Sequence, residues 1–137
     1  MMCTRAEFVA EARTWLHTPF KAQGRLKGIG VDCGGLVVCV AKSFGLTEFD
    51  VSGYKLRMGE SLATYCEANM QRVALADADA ADVLLFQWNG TPSHVAILTD
   101  RDHVIHAFVP NKEVIEHRLD DRMRSLIRCA YHVPGVV

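Results

Sequence analysis

Residues 32–45 read DCGGLVVCVAKSFG, and this stretch determines how the rest of the chain must be arranged. Asp32 is a good helix N-cap, because its carboxylate can accept hydrogen bonds from the unpaired N–H groups of the first turn. Gly45 is the residue type that commonly follows the last turn of a helix. Between them the side chains are apolar on nearly every side, which is typical of a helix enclosed by other elements. We therefore predict a central, buried helix that begins at Cys33 and ends before Gly45.

The segment before this helix carries a helix signal of its own. Residues 4–7 read TRAE, the pattern of a capping box in which a threonine and a glutamate bond each other's backbone. Apolar residues then recur at helical spacing: Phe8, Val9, Ala12, Trp15 and Leu16. Thr18-Pro19 should end this helix, because the residue before a proline avoids the helical conformation. The glycine-containing residues 20–31 are predicted to form a loop, and a third helix is predicted over residues 60–69.

From residue 82 onward the pattern changes from helical to strand-like. Apolar and alternating segments are separated by turn residues such as Asn89-Gly90. The predicted strands are 82–87, 93–99, 103–109, 113–117 and 127–133. Helices followed by a run of strands indicate an α+β fold, with N-terminal helices packed on an antiparallel β-meander, rather than alternating βαβ units.

Composition excludes several classes of protein. The chain has 137 residues, which suits a single domain, and a formal net charge of -1 with no basic block, so no nucleic-acid partner is expected. No apolar run is long enough to span a membrane, and the charged N-terminus is unlike a signal peptide, so we expect synthesis in the cytoplasm. Five irregularly spaced cysteines favour reduced thiols over a disulfide framework.

Cys33 is the first candidate for chemistry. In the first turn of a helix, unpaired N–H groups and the positive end of the helix dipole favour a thiolate. Gly34 and Gly35 leave space for a substrate carbonyl, and the amides of this turn are candidate oxyanion donors. A buried structural thiol is the alternative interpretation, as we expect for Cys39 in the same helix.

Two strand histidines complete the candidate set. His94 shares a face with Ala96 and Leu98, and the position of His106 depends on the connecting turn. A two-residue loop would place His106 opposite Ile97, on the wrong face. A three-residue loop at 100–102 would place it opposite Ala96, with about 7–8 Å between the backbones of the two histidines. In that register His94 can take the Cys33 proton while His106 holds its tautomer.

The remaining candidates have structural interpretations as well. His17, His103, His117 and His132 are predicted to be structural, and Lys21, Arg25 and Lys27 belong to a solvated loop or face an anionic substrate. Trp88 either lines a substrate groove or caps the core. Cys33, His94 and His106 are also plausible zinc ligands, but no fourth ligand is evident, so no metal or cofactor is predicted.

At these residues the chain resembles the NlpC-type family of cell-wall cysteine peptidases. The resemblance covers Thr18-Pro19-Phe20, residues 32–37, residues 82–86, residues 94–97 and residues 104–107. It implies a papain-like α+β fold and a single catalytic domain over residues 1–137. It also implies that Cys33 is the nucleophile, His94 the general base and His106 the residue that orients it. The implied substrates are peptide-stem amides of peptidoglycan.

The long loop before Cys33 is most similar to the branch of this family found among phage tail proteins. This similarity implies phage tail proteins as partners and a location in the virion tail, acting at the cell wall. A non-catalytic assembly component with the same fold, or an acyltransferase with the same chemistry, are the alternatives.

Two positions depart from the family pattern. The family commonly has serine after the cysteine, where this chain has Gly34. It often places a tyrosine that helps to hold the oxyanion where this chain has Phe20, which has no donor. We expect another group, such as Gln23, to take that role, or a weaker oxyanion hole, and a lost donor costs roughly 3 kcal/mol of transition-state stabilisation.

Overall fold

The computed structural model describes residues 1–54 and 60–137. Four helices and eight strands are assigned in the order α1, β1, β2, α2, α3, β3–β7, α4, β8. The helices are α1 (Arg5–Arg13), α2 (Cys33–Ser43), α3 (Glu60–Asn69) and α4 (Asp121–Ser125). The strands are β1 (Arg25–Leu26), β2 (Gly30–Val31), β3 (Gln71–Val73), β4 (Val83–Trp88), β5 (Thr91–Asp100), β6 (His103–Phe108), β7 (Glu113–Arg118) and β8 (Ile127–His132).

The first helix has the predicted start but an earlier end. Thr4 and Glu7 form both bonds of the capping box. The helix ends at Arg13 instead of continuing to Thr18, because the Thr14 hydroxyl and backbone N–H both bond the Glu11 carbonyl oxygen and tighten the turn. His17, in the left-handed conformation with a φ of 69°, then reverses the chain. The helix that was predicted to end at Thr18-Pro19 was therefore four residues too long.

The central helix forms as predicted. The Asp32 carboxylate accepts from the backbone N–H of Gly35 and caps α2, and Gly45 adopts a φ of 69° just past its C-terminus. Leu36, Val40 and Ala41 are buried in the main core, which α2 shares with α1, α3 and one face of the sheet. This enclosure fixes the start of α2, and with it Cys33, against the sheet.

The six-stranded sheet has the order β3-β8-β4-β5-β6-β7 and is antiparallel throughout. The α+β fold and the β4–β7 meander are confirmed, and each of the five predicted strands lies within two residues of its observed bounds. The last strand, β8, pairs with β4 instead of extending the meander. The predicted loop over 20–31 contains the short β1–β2 pair, and the short edge strand β3 was not predicted.

The second face of the sheet has a smaller apolar cluster, closed by Leu119 and Met123 around α4. No helix in residues 1–54 or 60–137 is long and apolar enough to cross a membrane.

Candidate active site

Cys33 lies at the start of α2, directly after the capping residue Asp32. Three backbone N–H groups, those of Val95 on β5, Gly34 and Cys33 itself, are placed to stabilise a thiolate. Burial has the larger, opposite effect and raises the pKa of the Cys33 thiol to about 11, with a further contribution from the Asp32 carboxylate. The expectation of a thiolate at this helix start is therefore wrong for the unliganded protein. Desolvation outweighs the amide groups, and the resting thiol is neutral.

His94 on β5 and His106 on β6 are in direct contact. The Nε2 atom of His94 lies 2.6 Å from the Nδ1 atom of His106, which is a hydrogen bond in which one of the two nitrogens carries the proton. The structure thus brings together the two histidines that the sequence placed on one face of the sheet.

The turn that brings them together differs from the predicted one. Asp100 pairs with His103, so the loop has two residues, not three. A β-bulge between Leu98 and Asp100 adds the missing residue, and Ile97 pairs with Ile105 beyond it. Continued by one residue, this register sets His106 opposite Ala96, as expected. A bulge inserts one unpaired residue into a strand. The predicted pairing of β5 with β6 is therefore produced by a bulge and a two-residue loop instead of a three-residue loop.

Both histidines are neutral in the folded protein. Burial lowers the pKa of His94 to about 3. Burial, with smaller contributions from His94 and His117, lowers the pKa of His106 to about 2. A neutral imidazole has one N–H donor and one acceptor nitrogen, so His94 is available as a base.

Aromatic rings hold both imidazoles in place. The ring of Trp88 stacks on His94 with centroids 4.8 Å apart, and Phe108 stacks on His106 at 4.5 Å. Both interpretations of Trp88 apply, because its half-buried side chain lines the cavity described next and also packs against the smaller apolar cluster of the sheet.

A cavity of about 500 Å³ connects these groups. Cys33, Gly34, His94, Trp88 and Phe20 all line it, whereas His106 lies behind His94 and is fully buried. The apolar part of the lining consists mainly of Val37, Val38, Ala41, Leu46, Phe49, Val51, Leu62 and Met70. The thiol and the histidine therefore line one enclosed space.

The two glycines after Cys33 have different surroundings. Gly34 lines the cavity, and a Cβ built on it would meet nothing within 4 Å. The Gly35 N–H donates to Asp32 Oδ1 at 2.8 Å and is buried. The prediction of Gly35 as an oxyanion donor is wrong, because the helix cap uses its only donor.

The alternative oxyanion donor, Gln23, is also engaged elsewhere. Its Nε2 donates to the Tyr54 carbonyl oxygen at 2.8 Å, and its Oε1 accepts from the Gly53 N–H at 2.8 Å. Gln23 therefore anchors the segment around residues 53–54 and does not point into the cavity. Phe20 does line the cavity, with no polar atom on its side chain.

A polar cluster beneath the start of α2 was not predicted. Asp32 accepts hydrogen bonds from Arg25 Nη1 at 3.1 Å and from the Tyr54 hydroxyl, and Arg25 Nη2 contacts that hydroxyl at 2.9 Å. Burial and the bond to Asp32 raise the pKa of Tyr54. Tyr54 lies in a segment without periodicity, so no sequence pattern pointed to it. Arg25 also pairs with Asp50, and Lys27 with Glu11, so these basic residues have partners within the protein.

His117 is the second group that the sequence did not assign to the site. Its Nε2 lies 2.8 Å from Nε2 of His106. The other histidines bond elsewhere: His17 to Glu113, His103 to Asp100 and His132 to Asp82. The sequence did place His117 on the strand that follows the strand of His106. It did not predict the register between these two strands, and so it did not predict the contact between the two histidines.

Within residues 1–54 and 60–137, no three His, Cys, Asp or Glu side chains are grouped to hold a metal ion.

N-terminal helices on an antiparallel sheet, with a helix-start cysteine and a histidine pair around one cavity, define an α+β domain of the papain-like class. The profile of the NlpC/P60 family matches residues 17–127, and the chain belongs to this family.

Solved structures share the fold. The NlpC/p60 domain of the peptidoglycan hydrolase SagA is 24% identical with a TM-score of 0.69, over 96% of this chain and 100% of that one. An NlpC/P60 family protein from Bacillus cereus is 19% identical with a TM-score of 0.74 over 97% of this chain, which spans 41% of that protein. RipD from Mycobacterium tuberculosis, a non-catalytic NlpC/p60 domain protein, is 15% identical with a TM-score of 0.63, over 98% and 99% of the two chains. No curated protein sequence matches the chain.

Proposed function

We propose that the protein is a cysteine peptidase that hydrolyses amide bonds in the peptide stems of bacterial peptidoglycan. One observation supports this most: Cys33 and His94 line one cavity, and His94 is held from behind by the 2.6 Å contact with His106. Cysteine and histidine in this relation can form and resolve an acyl-enzyme. The printed description of SagA as a peptidoglycan hydrolase supports the choice of substrate.

The first chemical step is attack by the Cys33 sulfur on the scissile carbonyl. Since the resting thiol and imidazole are both neutral, His94 removes the thiol proton as the carbon–sulfur bond forms. The Nε2 atom of His94 is engaged by His106, so Nδ1 is the ring nitrogen that acts as the base.

The second step releases the amine. The tetrahedral intermediate collapses, the carbon–nitrogen bond breaks, and the His94 imidazolium gives its proton to the leaving amine. A water molecule, deprotonated by the now neutral His94, then attacks the thioester, the carbon–sulfur bond breaks, and the sulfur takes the proton back from His94. The products are a free carboxylate and the regenerated thiol.

The oxyanion in this mechanism is held by backbone donors. The Cys33 N–H lies at the start of α2, where helix amides have no partner within the helix. Because Phe20 has no donor and the amides of Gly35 and Gln23 are engaged, we expect a sparse oxyanion hole and a modest rate.

The test is mass spectrometry of fragments released from purified sacculi. The intact protein and Cys39→Ala should release fragments with a new amino group and a new carboxylate, whereas Cys33→Ala should release none. Cys39 is the matched control, because it lies in the same helix and is half-buried but does not line the cavity. Activity of Cys33→Ala equal to that of the intact protein would disprove the assignment of the nucleophile.

A non-catalytic role is the second candidate, and the sparse oxyanion hole favours it. RipD has this fold and is described as adapted to peptidoglycan binding. In the same experiment this role predicts that the intact protein sediments with sacculi but releases no fragment. An acyltransferase would instead join the acyl group to an added amine, which the fragment masses would show.

The proposal extends to association with phage tails. It rests on the long glycine-containing loop before Cys33, over residues 20–31. In this proposal the chain is synthesised in the cytoplasm, acts as one catalytic domain and reaches the cell wall as part of a tail assembly. Detection of the chain in purified tails would support it, and its absence from them would reject it.

A further inference from the structure

Three histidines form one hydrogen-bonded row across strands β5, β6 and β7. His94 Nε2 contacts His106 Nδ1 at 2.6 Å, and His106 Nε2 contacts His117 Nε2 at 2.8 Å. The outer end of the row is His117 Nδ1, which lies 2.8 Å from the backbone carbonyl oxygen of Arg118. His117 pairs with Val104, two residues from His106, so the two histidines share a face of the sheet.

The carbonyl at the end fixes the direction of every bond in the row. A carbonyl oxygen only accepts hydrogen bonds, so Nδ1 of His117 carries a proton. With that single proton on its ring, His117 presents an unprotonated Nε2, to which His106 donates from its own Nε2. Neutral His106 in turn presents an unprotonated Nδ1, to which His94 donates from Nε2.

This direction of the hydrogen bonds determines the tautomer of His94. With its proton on Nε2, neutral His94 has its lone pair on Nδ1. That is the tautomer in which the ring can accept a proton from Cys33. In a row of neutral rings, reversing the direction would put the proton on Nδ1 and remove the base.

Burial and packing prevent the histidine rings from exchanging their hydrogen-bond partners or rotating. His106 is fully buried and His94 is 4% exposed, so neither ring can exchange its partner for water. The stacked rings of Trp88 and Phe108 oppose rotation of the imidazoles. Burial also lowers the pKa values of both histidines, which keeps them neutral as the argument requires.

We propose that His117 is a positioning residue that sets the tautomer of the buried His94–His106 pair by accepting the proton of His106 Nε2. It touches no substrate and acts only through this row. The inference about activity rests on the proposed function, but the tautomer itself does not.

The test uses two replacements of His117 in the full chain. In His117→Gln the side-chain oxygen can still accept from His106, so the tautomers should remain. In His117→Leu the acceptor is lost, and His106 is free to place its proton on Nδ1 and donate it toward His94. His103→Leu is the control, because the His103 side chain on β6 is 43% exposed and, among the described residues, bonds only Asp100.

The primary measurement is the ¹⁵N NMR spectrum of the histidine rings, which distinguishes protonated from unprotonated nitrogens. The intact protein, His117→Gln and His103→Leu should show His94 and His106 protonated on Nε2, and His117→Leu should show protonation on Nδ1. A folded His117→Leu variant with unchanged tautomers would overturn the proposal, as would Nδ1-protonated His94 in the intact protein. If thermal denaturation shows that His117→Leu does not fold, His117→Ser takes its place. Serine keeps a small hydrogen-bond acceptor, so we expect a mixture of the two tautomers in that variant.

Activity is the secondary measurement. Release of sacculus fragments should fall about 10–100-fold in His117→Leu and recover in His117→Gln, by analogy with the loss found when the hydrogen-bond partner of a metal-ligating histidine is removed. If the intact protein is inactive but the tautomer changes as described, the proposed function fails and the inference about His117 stands.

Discussion

Asp32 is the residue that connects the fold to the reactivity of Cys33. Its two carboxylate oxygens accept hydrogen bonds from the Gly35 N–H, the Gln23 N–H, Arg25 and Tyr54. The same negative charge raises the pKa of the neighbouring Cys33, after the larger effect of burial. The cap therefore stabilises α2 while it opposes ionisation of the Cys33 thiol.

Asp32→Asn should separate these two effects. The asparagine oxygen still caps α2, but without the charge we expect the pKa of Cys33 to fall. Arg25 loses one carboxylate and keeps Asp50, so the free energy of unfolding should decrease by roughly 1–3 kcal/mol. Alkylation of Cys33 by iodoacetamide, followed by peptide mass spectrometry across pH, should show its midpoint at lower pH. Asp50→Asn is the control, since it also weakens Arg25 but should leave the midpoint unchanged. An unchanged midpoint in Asp32→Asn would contradict the role of its charge.

At the scale of elements, α2 shows how two adjacent glycines serve different purposes. A Cβ on Gly34 would stand free, whereas a Cβ on Gly35 would lie 2.5 Å from Arg25 Nη1 and 2.8 Å from the Gly24 carbonyl oxygen. The close approach of β1 and its preceding loop to α2 thus requires glycine at 35 and not at 34. This difference also explains how the family pattern can have serine at the position of Gly34.

Gly34→Ala and Gly35→Ala form a matched pair for this interpretation. Alanine is favoured over glycine in helices, so Gly34→Ala should be neutral or raise the free energy of unfolding by up to about 1 kcal/mol. Gly35→Ala should lower it by roughly 1–3 kcal/mol, because the backbone atoms near the new methyl group cannot yield easily. Urea denaturation of both variants gives the comparison. Equal stability of the two would show that the packing above Gly35 is not as tight as described.

The elements that the sequence predicted well are those whose signals are local. The capping box at Thr4, the cap at Asp32 and the stop at Gly45 each depend on residues within one turn, and all three form. The turn between β5 and β6 was predicted with the wrong length, because the bulge after Leu98 is decided by how the two strands pack. The predicted register beyond the turn was still correct. One extra residue shifts the pairing of β5 with β6 by the same amount whether it lies in the loop or in a strand.

At the scale of the whole molecule, the sequence singled out the candidate reactive groups but not their surroundings. Cys33, His94 and His106 carry recognisable signals in their own segments. Two contacts, Arg25–Tyr54 and His106–His117, join segments that are brought together only by the fold. The residues beside them in the sequence therefore do not predict these contacts. The net effect of burial on the Cys33 pKa was missed for the same reason, because it depends on how β5 and the rest of the core pack around the start of α2.

This enclosure also determines how the stability of the whole protein depends on pH. His94 and His106 have pKa values near 3 and 2 in the folded state, against an ordinary value of 6.5. Below about pH 6.5 the unfolded chain therefore binds up to two more protons than the native state, and stability falls. Cys33 and Cys66 have pKa values raised by burial to about 11 and 12, against 9.0. Above about pH 9 the unfolded chain ionises first, and stability falls again.

We accordingly expect the free energy of unfolding to be greatest between about pH 6.5 and 9. On the acid side each buried histidine should contribute a slope of about 1.4 kcal/mol per pH unit, because that is the free energy equivalent of one proton per unit of pH. Urea denaturation at intervals from pH 4 to 10 measures both sides of the curve. His94→Gln removes one of the two protons and should roughly halve the histidine contribution to the acid slope. An acid slope that is the same in the intact protein and in His94→Gln would mean that the pKa of His94 does not differ between the folded and unfolded states, which would contradict the effect of burial described here.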